Sequence, residues 1–95
     1  MEIKKTLEGT KLTLTPRGRI DTITAPDLEN AVVLTGVDSL VFDFAEVNYV
    51  SSAGLRVLLS SQKKMAGKSM TIANVCPAVK EVFDITGFSD IFTFS

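Results

Sequence analysis

The sequence predicts an α/β fold: a mixed sheet of about five strands with about three to four helices, in the order β-β-α-β-α-β-α-β. Three observations carry this. From residue 39 onward, short apolar runs alternate strictly with segments of helical periodicity, the pattern of parallel strands joined by right-handed crossovers. Before them, two alternating segments flank a glycine turn, which adds an antiparallel hairpin. The 95 residues are 45% hydrophobic and 22% charged, enough for one core and too few for a second, so residues 1–95 form a single domain.

The elements follow in order. Residues 2–7 and 11–16 are predicted strands around Glu8-Gly9-Thr10. In the second, Leu12 and Leu14 alternate with Thr13 and Thr15, one face in and one face out. Thr24 is placed as a helix N-cap, with Pro26 in the first turn and Asp27 three residues after the cap. Ala25, Leu28 and Val32 then share one side of a short helix ending before Gly36. Leu40-Val41-Phe42 is an apolar run inside a strand at 39–44, as expected of a strand covered on both faces. A loop from Ala45 to Val50 leads into a helix from Ser52 to Ala66, whose inward stripe is Leu55, Leu58, Leu59 and Ala66. Ser69–Ala73 is the next strand. Pro77 opens a helix with Val79, Val82 and Phe83 inward. Gly87 followed by Phe88 matches a helix-ending turn, and Ile91–Phe94 is the last strand.

Several function classes are excluded or weakened by composition. The net charge of −1 argues against direct nucleic-acid binding, which favours a basic patch. No run of about 18 apolar residues exists, so membrane insertion is not expected. Without histidine, neither a Ser-His-Asp nor a Cys-His nucleophile can be built, and zinc sites of the Cys/His kind fall away too. The chain is therefore not expected to be an enzyme or to hold a cofactor. The N-terminal Met-Glu-Ile-Lys-Lys lacks the apolar core of a secretory signal, and the single Cys76 cannot form an internal disulfide. Both fit a cytoplasmic protein.

The informative stretch is Asp43-Phe44-Ala45-Glu46-Val47-Asn48-Tyr49-Val50-Ser51-Ser52-Ala53-Gly54-Leu55-Arg56. It delivers a serine from a strand, through a loop, to a helix N-terminus. Functional loops of such sheets lie beyond the carboxyl ends of parallel strands, which is where 45–51 falls. The hydroxyl of Ser52 can serve there as an ordinary cap. The same amides and the positive end of the helix dipole can also receive a phosphate. Helical spacing puts Ser52, Arg56, Ser60 and Lys63 on one solvent-facing stripe, with Arg56, one turn from Ser52, placed to contact either such a phosphate or an acidic partner. On these residues alone the capping role is the more common one.

Other residues have plainer readings. Asp21 ends the second strand and suits either a recognition contact or a turn. Asp43 is placed to hydrogen-bond the following loop. Cys76 reads as a small helix-start residue, and Lys63, Lys64 and Lys68 as a solvated cluster complementing a helix dipole. No phosphate-cradling glycine loop occurs, since Gly18, Gly54 and Gly67 are isolated.

The stretch resembles the signature of the STAS family, shared by bacterial anti-sigma factor antagonists and the cytoplasmic tails of sulfate transporters. The matching features are Asp43, Tyr49-Val50, Ser52, Gly54-Leu55 and the leucine-rich helix after them. Gly18-Arg19-Ile20-Asp21 is similar to the family's Gly-x-Leu/Ile-Asp element. Cys76 to Phe83, followed by Gly87-Phe88, is similar to its Pro-x-Val-x-x-x-Phe and Gly-Leu ending. The likeness runs from about Lys11 to Phe94.

In the antagonist branch, this resemblance implies that Ser52 is the phosphoacceptor. It implies binding to an anti-sigma factor that is usually also a serine kinase, release of a sigma factor, and reversal by a serine phosphatase. Asp21, Ser51, Ser52, Gly54 and Arg56 are the expected partner-binding residues. A second reading within the family is a stand-alone accessory subunit of an ABC-type transporter, without obligatory phosphorylation. Two departures stand out. Many antagonists carry aspartate before the phosphoacceptor where this chain has Ser51, a second candidate hydroxyl. The segment between Ala31 and Ser39 is short, which abbreviates the first helix.

Overall fold

The computed structural model describes residues 1–95. Strands β1 (Ile3–Glu8) and β2 (Lys11–Ile20) form the opening hairpin, with Ile3 opposite Pro16 and Glu8 opposite Lys11. Helix α1 (Ala25–Ala31), β3 (Ser39–Asp43), β4 (Glu46–Val50), α2 (Ser52–Lys64), β5 (Ser69–Ala73) and α3 (Pro77–Thr86) follow. A 3₁₀ turn at Phe88–Asp90 and β6 (Thr93–Phe94) close the chain. The sheet order is β1-β2-β3-β5-β6, antiparallel at the hairpin and parallel elsewhere, with β4 added beside the second half of β2.

The strand registers place Leu12 and Leu14 beside Leu40 and Phe42, which in turn flank Met70 and Ile72. These six are buried in one core with Leu28, Leu55, Leu58, Val79 and Phe83 from the three helices. Fully burying such a side chain is worth about 1.5–3 kcal/mol. The opposite sheet face carries Thr6, Thr13, Val41, Thr71 and Thr93 in one row across five strands. Val41 there is only half-buried. The expectation that β3 is covered on both faces is therefore corrected: its alternation is inward Leu40 and Phe42, outward Val41.

The sheet has six strands rather than about five, because Glu46–Val50, predicted as loop, is β4. Its period is broken by a register shift. Gly18 pairs with Val47 and Arg19 with Tyr49, so Asn48 bulges out. Val47 and Val50 both point inward at a spacing of three, and a strand of period two is invisible in such a pattern. β2 also runs on to Ile20 instead of ending near residue 16. Pro16 and Gly18 break the strand signal in the sequence, while the alternation of buried residues continues to Ile20, with Gly18 at φ 93° where the shift occurs.

The helices shift at their ends. α1 stops at Ala31, leaving Val32 as its C-cap. α2 stops at Lys64, and its buried residues are Gly54, Leu55, Val57, Leu58 and Ser61. Leu59 is half-buried and Ala66 exposed, so the inward stripe is rotated from the expected one. Ser61 tolerates burial because its hydroxyl donates to the Val57 carbonyl at 2.8 Å. α3 ends as expected on Gly87, at φ 80°. The chain then makes the 3₁₀ turn before β6, which shortens the last strand to two residues. Lys80 and Ser89 both bond the Asp84 carboxylate and fasten that turn to α3.

Candidate functional site

β2 and β4 run parallel and end together, with Ile20 beside Val50. The Ser51 amide donates to the Ile20 carbonyl at 2.8 Å. The turn after β2 and the start of α2 are thereby held side by side at the carboxyl end of the sheet. Asp21, Ser51, Ser52 and Gly54 come together there, with Arg56 one turn further along α2.

Asp21 is committed to its turn. Its Oδ1 accepts from the amides of Ile23 (3.0 Å) and Thr24 (3.1 Å), while the Asp21 amide donates to Thr24 Oγ1 at 2.9 Å. The Thr24 hydroxyl reaches the Arg19 carbonyl at 2.7 Å. Thr24 therefore occupies the N-cap position of α1 without the expected side-chain cap bond. The bond from the Thr24 amide, then those from Ile23 and the Thr24 hydroxyl with help from Arg19, holds the Asp21 carboxyl below its ordinary 3.8, against desolvation that acts to raise it. A lowered folded-state value means stability that is complete above the unfolded value and is lost as pH falls through the folded one. Asp21→Ala is expected to lower the melting temperature at neutral pH. The gap from wild type should narrow below about pH 4, the ordinary carboxylate range. Thermal melts at pH 7 and pH 3 check this; an equal gap at both would remove the carboxylate from the account.

Ser51, not Ser52, is the N-cap of α2, extended at φ −91°, ψ 177°. Its carbonyl accepts the first intrahelical bond, from Leu55 N at 3.0 Å. Its hydroxyl makes no cap bond and is buried without any partner. Ser51→Ala is thus expected to leave the melting temperature unchanged or raise it, unlike a working cap, whose loss costs about 1 kcal/mol. A drop of several degrees would show that the hydroxyl is bonded in solution. Ser52 is the first helical residue and is exposed, as are Arg56 and Lys63; Ser60 is half-buried.

Gly54 sets how closely α2 sits. A Cβ at this position would lie 2.7 Å from Ile20 Cγ2 and 2.9 Å from Val50 Cγ1. The glycine allows the helix start to rest directly on the ends of β2 and β4.

Arg56 has no acidic side chain within ion-pairing distance, whereas Arg17 has two, Glu2 and Glu46, and Arg19 has Asp21. It separates two shallow depressions. One, of about 230 Å³, is lined by Ser52, Leu55, Arg56, Leu59, Thr86 and Phe88. The other, of about 200 Å³, includes Thr22, Pro26, Glu29 and Ala53. Ile23, 85% exposed, stands in the Asp21 turn. Sequence reasoning missed Leu59, Thr86, Phe88 and Ile23 as site residues. Ile23 alone left a trace, as an isolated apolar residue between two threonines; the others are assembled from distant elements.

The remaining candidates lie apart. Asp43 Oδ1 accepts from the Ala45 amide and Asn74 Nδ2, both at 3.0 Å, and holds the corner between β3 and β4. Cys76 is the N-cap of α3, with Sγ 3.7 Å from the Val47 carbonyl oxygen. Lys63 and Lys64 sit in the last turn of α2, away from Ser52, and Lys68 pairs with Asp38 at 3.5 Å. No helix is long and apolar enough to cross a membrane.

The family model for the STAS domain matches residues 2–95. The chain belongs to the STAS domain family. It is 36% identical over 81 residues to BtrV of Bordetella bronchiseptica, described as a candidate anti-sigma factor antagonist, covering 80% of this chain and 70% of BtrV. It is 30% identical over 79 residues to the anti-sigma-B factor antagonist of Staphylococcus epidermidis, covering 78% and 73% of the two chains. Among solved structures, an anti-sigma factor antagonist from Mycobacterium paratuberculosis superposes with a TM-score of 0.87 at 26% identity, over 98% of this STAS chain and 83% of the other. The unphosphorylated antagonist SpoIIAA superposes at 0.82 with 14% identity, over 99% and 88%, a likeness of fold.

Proposed function

We propose that this STAS domain is an anti-sigma factor antagonist, a cytoplasmic binding protein rather than an enzyme, switched by phosphorylation of Ser52. The observation that supports this most is the contrast between neighbouring hydroxyls. Ser52 is exposed on the first turn of α2, beside an apolar depression, while the Ser51 hydroxyl is buried. A kinase can reach the first and not the second. The relatives named as antagonists support the same reading.

In this reading the unmodified surface binds an anti-sigma factor that also acts as a serine kinase. Leu55, Leu59 and Phe88 offer apolar contact, and Asp21, Ser51, Gly54 and Arg56 shape or border it. A phosphate adds about −1.5 to −2 charges to a face fitted to a neutral hydroxyl. Local charge and desolvation then end the association without refolding, and a serine phosphatase restores it. The test is capture from source-organism lysate with wild type, Ser52→Ala and Ser52→Asp, read by mass spectrometry. An anti-sigma factor or serine kinase held by the first two and not the third supports the switch. Transporter subunits held equally by all three would instead make the chain an accessory module. Phosphopeptide mapping that finds only Ser51 modified would overturn the assignment to Ser52.

A further inference from the structure

We infer that Arg56 is an internal clamp for a phosphate on Ser52, so that the modified form is held by the chain's own residues as well as rejected by its partner. This inference rests on the phosphoacceptor reading of Ser52 given above. Two features converge on the place. Ser52, Ala53 and Gly54 precede the first intrahelical bond of α2, made by Leu55, so their amides have no helical acceptor. Four residues on, Arg56 lines the same depression as Ser52 and is the arginine that lacks an acid.

The spacing decides the chemistry. Residues four apart on a helix are surface neighbours, and Ser52 and Arg56 are both exposed. A phosphate on Ser52 would sit at the positive end of the 13-residue helix α2. A guanidinium presents paired N–H groups that match two phosphate oxygens. With Ser52 unmodified, Arg56 has no anion to bind and stays available to the partner surface. Modification then redirects it inward. The arginine is thus removed from the binding face as the charge is added, and the two effects act in the same direction.

The clamp can be measured without any kinase, on full-length chain with phosphoserine installed at residue 52 by chemical or translational incorporation. The readout is the second ionisation of the phosphate, followed by phosphorus NMR in wild type, Arg56→Lys and Arg56→Gln. An exposed phosphoserine ionises near pH ~6. In wild type the midpoint should fall below that of Arg56→Gln by roughly 0.2–0.7 pH unit, the size an exposed ion pair supports. Arg56→Lys should lie between them. Because Arg56 is exposed, all three chains should fold, and melting curves verify it. The gain in melting temperature on phosphorylation should also shrink in Arg56→Gln. Identical phosphate titrations in the three chains would overturn the clamp. Absence of Ser52 phosphorylation in source cells would defeat the phosphoacceptor reading instead, and leaves the titration result standing by itself.

Discussion

Gly54→Val should destabilise the domain by about 3 kcal/mol or more, and Gly54→Ala by about 1–2 kcal/mol. The sign is the point of interest. In an exposed helix, replacing glycine by alanine stabilises by about 1 kcal/mol, because glycine loses more backbone freedom on folding. Here the added Cβ would meet Ile20 Cγ2 at 2.7 Å and Val50 Cγ1 at 2.9 Å. Both neighbours are β-branched, with stiff χ1, and both are buried. They cannot rotate away cheaply, so α2 must lift from the sheet, and overpacking of this kind costs about 1–3 kcal/mol. Valine adds two γ-carbons to the same gap. At about 4–8 °C per kcal/mol for a domain of this size, thermal denaturation resolves alanine from wild type. A rise in melting temperature for Gly54→Ala would mean that the helix start is looser than the structure has it. The lift also displaces Ser52, two residues earlier, so partner capture should fall further than the stability loss alone explains.

Ser52→Asp should weaken binding to the captured anti-sigma factor by about 100-fold, equivalent to ~2.7 kcal/mol. The carboxylate would stand next to the depression lined by Leu55, Leu59 and Phe88. An interface closing over these apolar groups must strip water from the charge, and an unpaired buried charge costs several kcal/mol. Ser52→Ala, which adds no charge, should bind within a few-fold of wild type. Stability supplies the control. A negative charge on the first turn of a helix is favoured by the dipole, by about 0.3–1 kcal/mol. Ser52→Asp should therefore melt no lower than wild type while losing its partner. Calorimetric titration beside thermal melts separates the two effects. Equal affinity of the aspartate and alanine variants would remove charge from the switching account.

What could be read along the chain and what could not divide by range. Local chemistry was sufficient for the hairpin, whose register follows the alternation of Leu12 and Leu14. It was sufficient for Ser69–Ala73, and for α3 between Pro77 and Gly87. Helical periodicity placed Ser52 at the start of α2, where it is found. β4 escaped because the bulge at Asn48 puts Val47 and Val50 on one face three residues apart, and only pairing to β2 shows them as strand.

The site divides in the same way. The sequence by itself determined that a serine stands at a helix start with an arginine one turn on, since helical periodicity is a property of neighbours. It could not say which serine caps the helix. Ser51 and Ser52 are chemically alike, and the bond from the Ser51 amide to Ile20 turns one hydroxyl inward and leaves the other exposed. Nor could it show why residue 54 is glycine, because the atoms that forbid a side chain belong to Ile20 and Val50. The apolar depression beside Ser52 exists only where Leu59 meets Thr86 and Phe88, brought there from about thirty residues away. Those are contacts of packing, and packing is decided by the closed fold, in which distant side chains share one volume.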